Sequence, residues 1–142
     1  MTQRIRRTIA HIAICVLAAT AGIFAGAAPA SAFGGETFGC RVSPGTVLTW
    51  RQICNNNRPA SVYIAGFNVL NLSGDGYTFS WSYTGDVLYV HSGCTPTAAG
   101  CGLAVANGDA FVSVTVTYSQ GGQSATQWST AVIRMYCGQV LC

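Results

Sequence analysis

The chain has 142 residues, of which 50% are hydrophobic and only 8% charged, with seven arginines and no lysine. Three of the arginines fall within the first seven residues. Beyond residue 32, Arg41, Arg51, Arg58 and Arg134 balance Glu36, Asp75, Asp86 and Asp109, so no basic patch is left to neutralise phosphates and nucleic-acid binding is excluded.

Residues 1–32 read as a secretory signal. Arg4, Arg6 and Arg7 precede an apolar run from about Ile9 to Phe24, and Ala30-Ser31-Ala32 forms a small-residue cleavage site. Cleavage before Phe33 leaves one domain, 33–142, with no membrane span, and implies a secreted or cell-wall-associated protein. The absence of lysine points to a GC-rich bacterial genome. In such a host the Asn71-Leu72-Ser73 acceptor pattern stays unmodified.

Helix periodicity is nearly absent from 33–142, whereas short strand signals recur between Gly, Asn, Asp and Pro. Strands are expected at 46–53, 61–71, 77–83, 86–91, 102–106, 110–119 and 124–136. Alternation is clearest in two of them. Tyr77, Phe79, Trp81 and Tyr83 oppose Thr78, Ser80 and Ser82, and Val112, Val114, Val116 and Tyr118 oppose Ser113, Thr115 and Thr117. Each pattern describes an antiparallel strand with one buried face. Gly121-Gly122 suits a tight hairpin between the last two strands.

Cys40, Cys54, Cys94, Cys101, Cys137 and Cys142 remain after signal removal, an even number in a short exported chain, so a disulfide framework is expected. Zinc ligand pairs typically have two to four intervening residues and need reduced thiolates, whereas the spacings here are thirteen, six and four in an oxidising compartment, so no metal is expected on the cysteines. Six cysteines allow fifteen pairings. One set is local, 40–54, 94–101 and 137–142; its rival ties Cys40 to the C-terminal pair.

Seven short strands with a tryptophan in their midst fit a two-sheet sandwich, with Trp81 on a central strand and in the core. The segments "YTFSWSYTGD" and "VSVTVTYSQGGQSATQWSTAVI" resemble the middle and closing strands of immunoglobulin-like modules, including the polycystic-kidney-disease type of exported bacterial proteins. The resemblance covers about residues 60–136 and implies an immunoglobulin-like antiparallel β-sandwich. It implies no activity, because this architecture hosts many functions. One departure stands out: the strands at 61–71 and 110–119 lack the cysteines of the usual inter-sheet disulfide.

Catalytic parts are scarce. His91 is the one histidine after residue 32, and Ser92 beside it sits in no nucleophile motif that would join it to Asp86. The histidine reads as an ordinary strand-end residue and the chain as no enzyme, with no cofactor. Asp75, Asp86 and Asp109 each follow a glycine, which is turn chemistry. Whether two such loops converge on calcium is not written in linear spacing.

Aromatics carry the functional reading. Alternation sets Trp128 with Ser124, Thr126 and Thr130 on a polar face, where an indole can stack on a sugar or anchor a protein contact. The alternative is that Trp128 covers the sandwich edge. Trp50 lies in a stretch of broken alternation and stays unassigned. The expected function is therefore surface contact through Trp128, Thr126 and Thr130, with cell-wall glycan, another surface protein or a second copy as partner. A second class is a small protease inhibitor presenting the clipped loop 94–101, whose preorganisation would supply affinity.

Overall fold

The computed structural model describes residues 33–142; the expected signal segment lies outside the described residues. Those residues form ten strands and no helix. The strands are β1 (Thr37–Ser43), β2 (Ile53–Asn55), β3 (Val62–Leu70), β4 (Thr78–Gly85), β5 (Tyr89–Gly93), β6 (Gly100–Ala106), β7 (Ala110–Gln120), β8 (Gln123–Ile133), β9 (Tyr136–Cys137) and β10 (Val140–Leu141). One sheet has the order β1-β3-β6-β5 and the other β2-β8-β7-β4, with β9 and β10 as a separate small hairpin. This is an all-β sandwich.

The core lies between the two sheets because alternate side chains of both point inward. Phe38, Cys40 and Val42 of β1, Tyr63, Ala65, Phe67 and Val69 of β3, and Cys101, Leu103 and Val105 of β6 meet Val112, Val114, Val116 and Tyr118 of β7 with Ala131 and Ile133 of β8. The expected faces of β4 and β7 hold, although burial fades along β4 from Phe79 to an exposed Tyr83.

All three local disulfides are formed: 40–54, 94–101 and 137–142. They suit an oxidising compartment. The rival link from Cys40 to the C-terminal pair does not occur.

The structure corrects several expectations, among them the strand expected at 86–91, which runs instead from Tyr89 to Gly93. The strand at 46–53 is absent apart from its last residue: Asn57 captures Thr46 by accepting from its N–H at 3.1 Å and donating from Nδ2 to its hydroxyl at 2.5 Å. In its place β1, which was not expected, pairs along its whole length with β3. Pairing is not wholly antiparallel, since β2 runs parallel to β8. Finally, Trp81 sits on an edge strand rather than a central one, half-buried between Phe38 and Phe79 at centroid distances of 5.9 and 6.2 Å.

On one lateral side of the sandwich, Cys40 N–H donates to the Arg51 carbonyl at 2.7 Å, and Thr130 N–H donates to the Gln52 carbonyl at 3.0 Å. The chain from Arg51 to Asn55 thus stitches β1 to β8, and the 40–54 disulfide locks the stitch. The expected last strand, 124–136, stops at Ile133 for a related reason. There Asn56 and Asn107 clasp the backbone of Arg134 and Tyr136, each donating from Nδ2 and accepting at Oδ1.

One end of the sandwich holds a buried acid. Glu36 is 5% exposed, accepts from Gly34 N–H at 2.7 Å, and accepts a hydrogen bond from the Tyr77 hydroxyl. That hydroxyl holds the Glu36 carboxyl below the usual carboxylate range, and the same bond raises the tyrosine. The folded pKa is depressed, so this stabilisation is complete above the ordinary value of 4.5 and is lost as pH falls through the folded value. Thermal unfolding followed through the acid range should show the melting temperature of Glu36→Gln falling less steeply below that value than wild type. Parallel acid limbs would count against this account.

Candidate functional site

The outer face of the β2-β8-β7-β4 sheet is built by register. Cross-strand pairing aligns Thr78–Ser119–Ser124, Ser80–Thr117–Thr126, Ser82–Thr115–Trp128 and Thr84–Ser113–Thr130, with Ile53 continuing the last row. Eleven of these twelve positions carry hydroxyls and the twelfth is Trp128; the next row on the same face pairs Phe111, 64% exposed, with Val132. Within the rows, Thr78 and Ser119 share a hydrogen bond at 2.7 Å, Thr117 and Thr126 at 2.8 Å, and Ser113 and Thr130 at 2.9 Å. Such pairs stiffen a sheet and fix its hydroxyls in place.

Trp128 is 52% exposed in the row between these bonded pairs. Ser82 and Thr115, its row-mates, make no side-chain hydrogen bond among the described residues. No row position is charged. The face therefore offers one indole plane among neutral hydroxyl donors and acceptors, bordered on one side by the exposed side chains of Ile53 and Phe111. Thr126 and Thr130 lie where alternation put them, flanking Trp128. Sequence reading missed the hydroxyls of β4 and β7 as part of this face. Their polar sides were legible in alternation, but only register lines them up with Trp128.

The other candidates are dispersed. Trp50 belongs to the opposite side of the molecule, half-buried beneath the Arg41 guanidinium at 4.0 Å. His91 is exposed on β5, the outer strand of the other sheet. Asp86 and Asp109 line one cavity of about 350 Å³ between the β4–β5 and β6–β7 connections, while Asp75 is exposed in the β3–β4 connection. Asp109 Oδ1 already accepts from Met135 N–H at 3.1 Å. Among the described residues no three His, Cys, Asp or Glu side chains converge on a metal-sized site.

The clipped loop turns toward the sandwich. The carbonyl of Pro96 accepts from Phe79 N–H at 2.9 Å, that of Ala99 from Val69 N–H at 2.9 Å, and that of Ala98 from the Trp81 indole N–H at 3.2 Å. An inhibitory loop binds a protease by offering such backbone groups outward. Here three carbonyls are already committed to β3 and β4.

No helix among the described residues is long and apolar enough to cross a membrane. The chain matches no family model, no curated protein and no solved structure.

Proposed function

We propose that this is an exported, non-catalytic bacterial sandwich protein that acts by contact outside the cell, with a neutral cell-wall glycan as partner. The observation that carries the reading is Trp128, exposed within in-register rows of serine and threonine. A sugar ring presents an apolar face of C–H groups and a rim of hydroxyls. The indole suits the first and the fixed Ser/Thr hydroxyls suit the second. The uncharged rows match a neutral ligand.

The immunoglobulin-like reading is supported by strand order. With β1 and β3 to β8 taken in chain order as A to G, β1-β3-β6-β5 and β8-β7-β4 correspond to A-B-E-D and G-F-C. Export is supported by the basic, apolar and small-residue sequence of 1–32 together with three disulfides.

Retention on isolated cell wall tests the reading. Trp128→Ala should lose most retention while its melting temperature stays near wild type, because the side chain contributes nothing to the core. Binding should change little with salt, since no charge drives it. Full retention by the variant, or a large loss of stability in its place, would remove Trp128 from the contact.

A further inference from the structure

We propose that the outer face of the opposite sheet carries a second binding groove, for a carboxylate-bearing sugar, with Gly66 as its floor and Arg41 as its anion-binding side chain. The groove holds about 330 Å³, and Arg41, Val47, Leu48, Trp50, Ile64 and Gly66 are among the residues that line it. The 44–50 segment overhangs it, and Leu48 is 77% exposed there.

Gly66 is the first observation. It lies mid-strand in β3, in continuous register with Arg41 on one side and Gly102 on the other. Its backbone is not in the left-handed region, and a Cβ added there would meet only the Arg41 carbonyl oxygen, at an ordinary 3.8 Å. The glycines nearby are explained by packing. A Cβ at Gly39 would come within 3.1 Å of the Arg51 backbone, and one at Gly102 within 2.6 Å of Ser92 Oγ. Glycine weakens a strand interior, and where neither a bulge nor a close backbone requires it, close approach by a ligand is the remaining reason.

Arg41 is the second. Its guanidinium lies 4.0 Å from the Trp50 ring centroid, and Nη1 donates to the Leu48 carbonyl at 3.3 Å. The stack and that bond fix the fork, leaving most of its five donors free. None of the four acids beyond residue 32 lines the groove. A held guanidinium with no protein carboxylate is preorganised for a ligand carboxylate, which it can bind bidentately. Val47, Leu48 and Ile64 suit the C–H face of a ring, and the bare peptide at Gly66 lets that ring lie close. Together these specify a uronate-type sugar. The site is separate from the Trp128 face and, unlike it, depends on charge.

Calorimetric titration of the protein with methyl glucuronide, methyl glucoside and acetylglycine tests this. The glucuronide should bind at least about tenfold more tightly than either the neutral glycoside or the carboxylate without a ring, and added salt should weaken it. Arg41→Gln should erase the preference for the glucuronide. Gly66→Val should block binding while the melting temperature stays at or above wild type, because valine suits an open strand position. Trp128→Ala should leave glucuronide binding unchanged, so the two sites fail separately. No binding of the glucuronide, equal binding of the two glycosides, acetylglycine binding as tightly as the glucuronide, or undiminished binding by folded Gly66→Val would each overturn the proposal.

Discussion

Replacing both Cys40 and Cys54 by alanine should lower the unfolding free energy by about 3 kcal/mol or more, the largest loss from any one disulfide here. The sequence separation is 14, the longest of the three, and a loop of that size restricts the unfolded chain by about 3 kcal/mol in the chain-entropy model. Position adds to this. Cys40 is fully buried in β1 of one sheet, and Cys54 is buried in β2 of the other. Removing the sulfurs leaves a gap where the 51–55 segment stitches the sheets together, and core cavities carry their own cost. The 137–142 bridge is the contrast. Both its cysteines are exposed in the terminal β9–β10 hairpin, so its loss frees a segment outside the core. Urea unfolding of the two double variants should show a marked fall in midpoint for the first and a smaller one for the second, whose shorter loop restricts the unfolded chain less. Equal midpoints would mean that the stitch is not what holds this side of the sandwich.

That stitch also shows what the sequence could and could not disclose. Strands β3, β4, β7 and β8 were legible because one buried face imposes strict alternation on each. β1 carries the same alternation in Phe38, Cys40 and Val42, but the glycine at 39 weakens it as a strand signal. Gly39 is there because the Arg51 backbone and the Trp50 Cβ pass 3.1 Å from where its Cβ would be, a contact between segments that local pattern does not record. Conversely, "TVLTW" at 46–50 has strand-forming residues but packs no face against the core. Its exposed Val47 and Leu48 rim the groove over Gly66 instead.

The candidate site divides in the same way. Alternation alone placed Trp128, Thr126 and Thr130 on one face, since the period of a strand is two. The rows joining them to Ser82, Thr115 and Thr117 depend on register, which the length of the β7–β8 turn and the β4–β7 pairing set. The position of Trp81 was illegible for a third reason. Strand order within a sheet is a property of topology, and the pattern of β4 is the same at an edge as at a centre.

Phe67→Ala should cost about 3–5 kcal/mol, the range for deleting a large aromatic from a closed core. Phe67 is 1% exposed on β3, with Cys40 opposite on β1 and Cys101 opposite on β6. Its ring packs against Phe38 at 6.2 Å, and strands on both sides prevent the site from collapsing onto the gap. Trp81 has the larger side chain but the weaker position, half-buried on an edge strand. Water can reach part of the space it vacates, and the bond from its indole to Ala98 can pass to solvent. Trp81→Ala should therefore cost less than Phe67→Ala, under about 3 kcal/mol, although tryptophan removes more surface. Ser80→Ala, on the outer side of the same strand, should cost less than about 0.5 kcal/mol. Urea midpoints at matched m-values would rank the three variants. If Trp81→Ala matched or exceeded Phe67→Ala, β4 would be closing the core rather than bordering it, and the edge position drawn for it would be wrong.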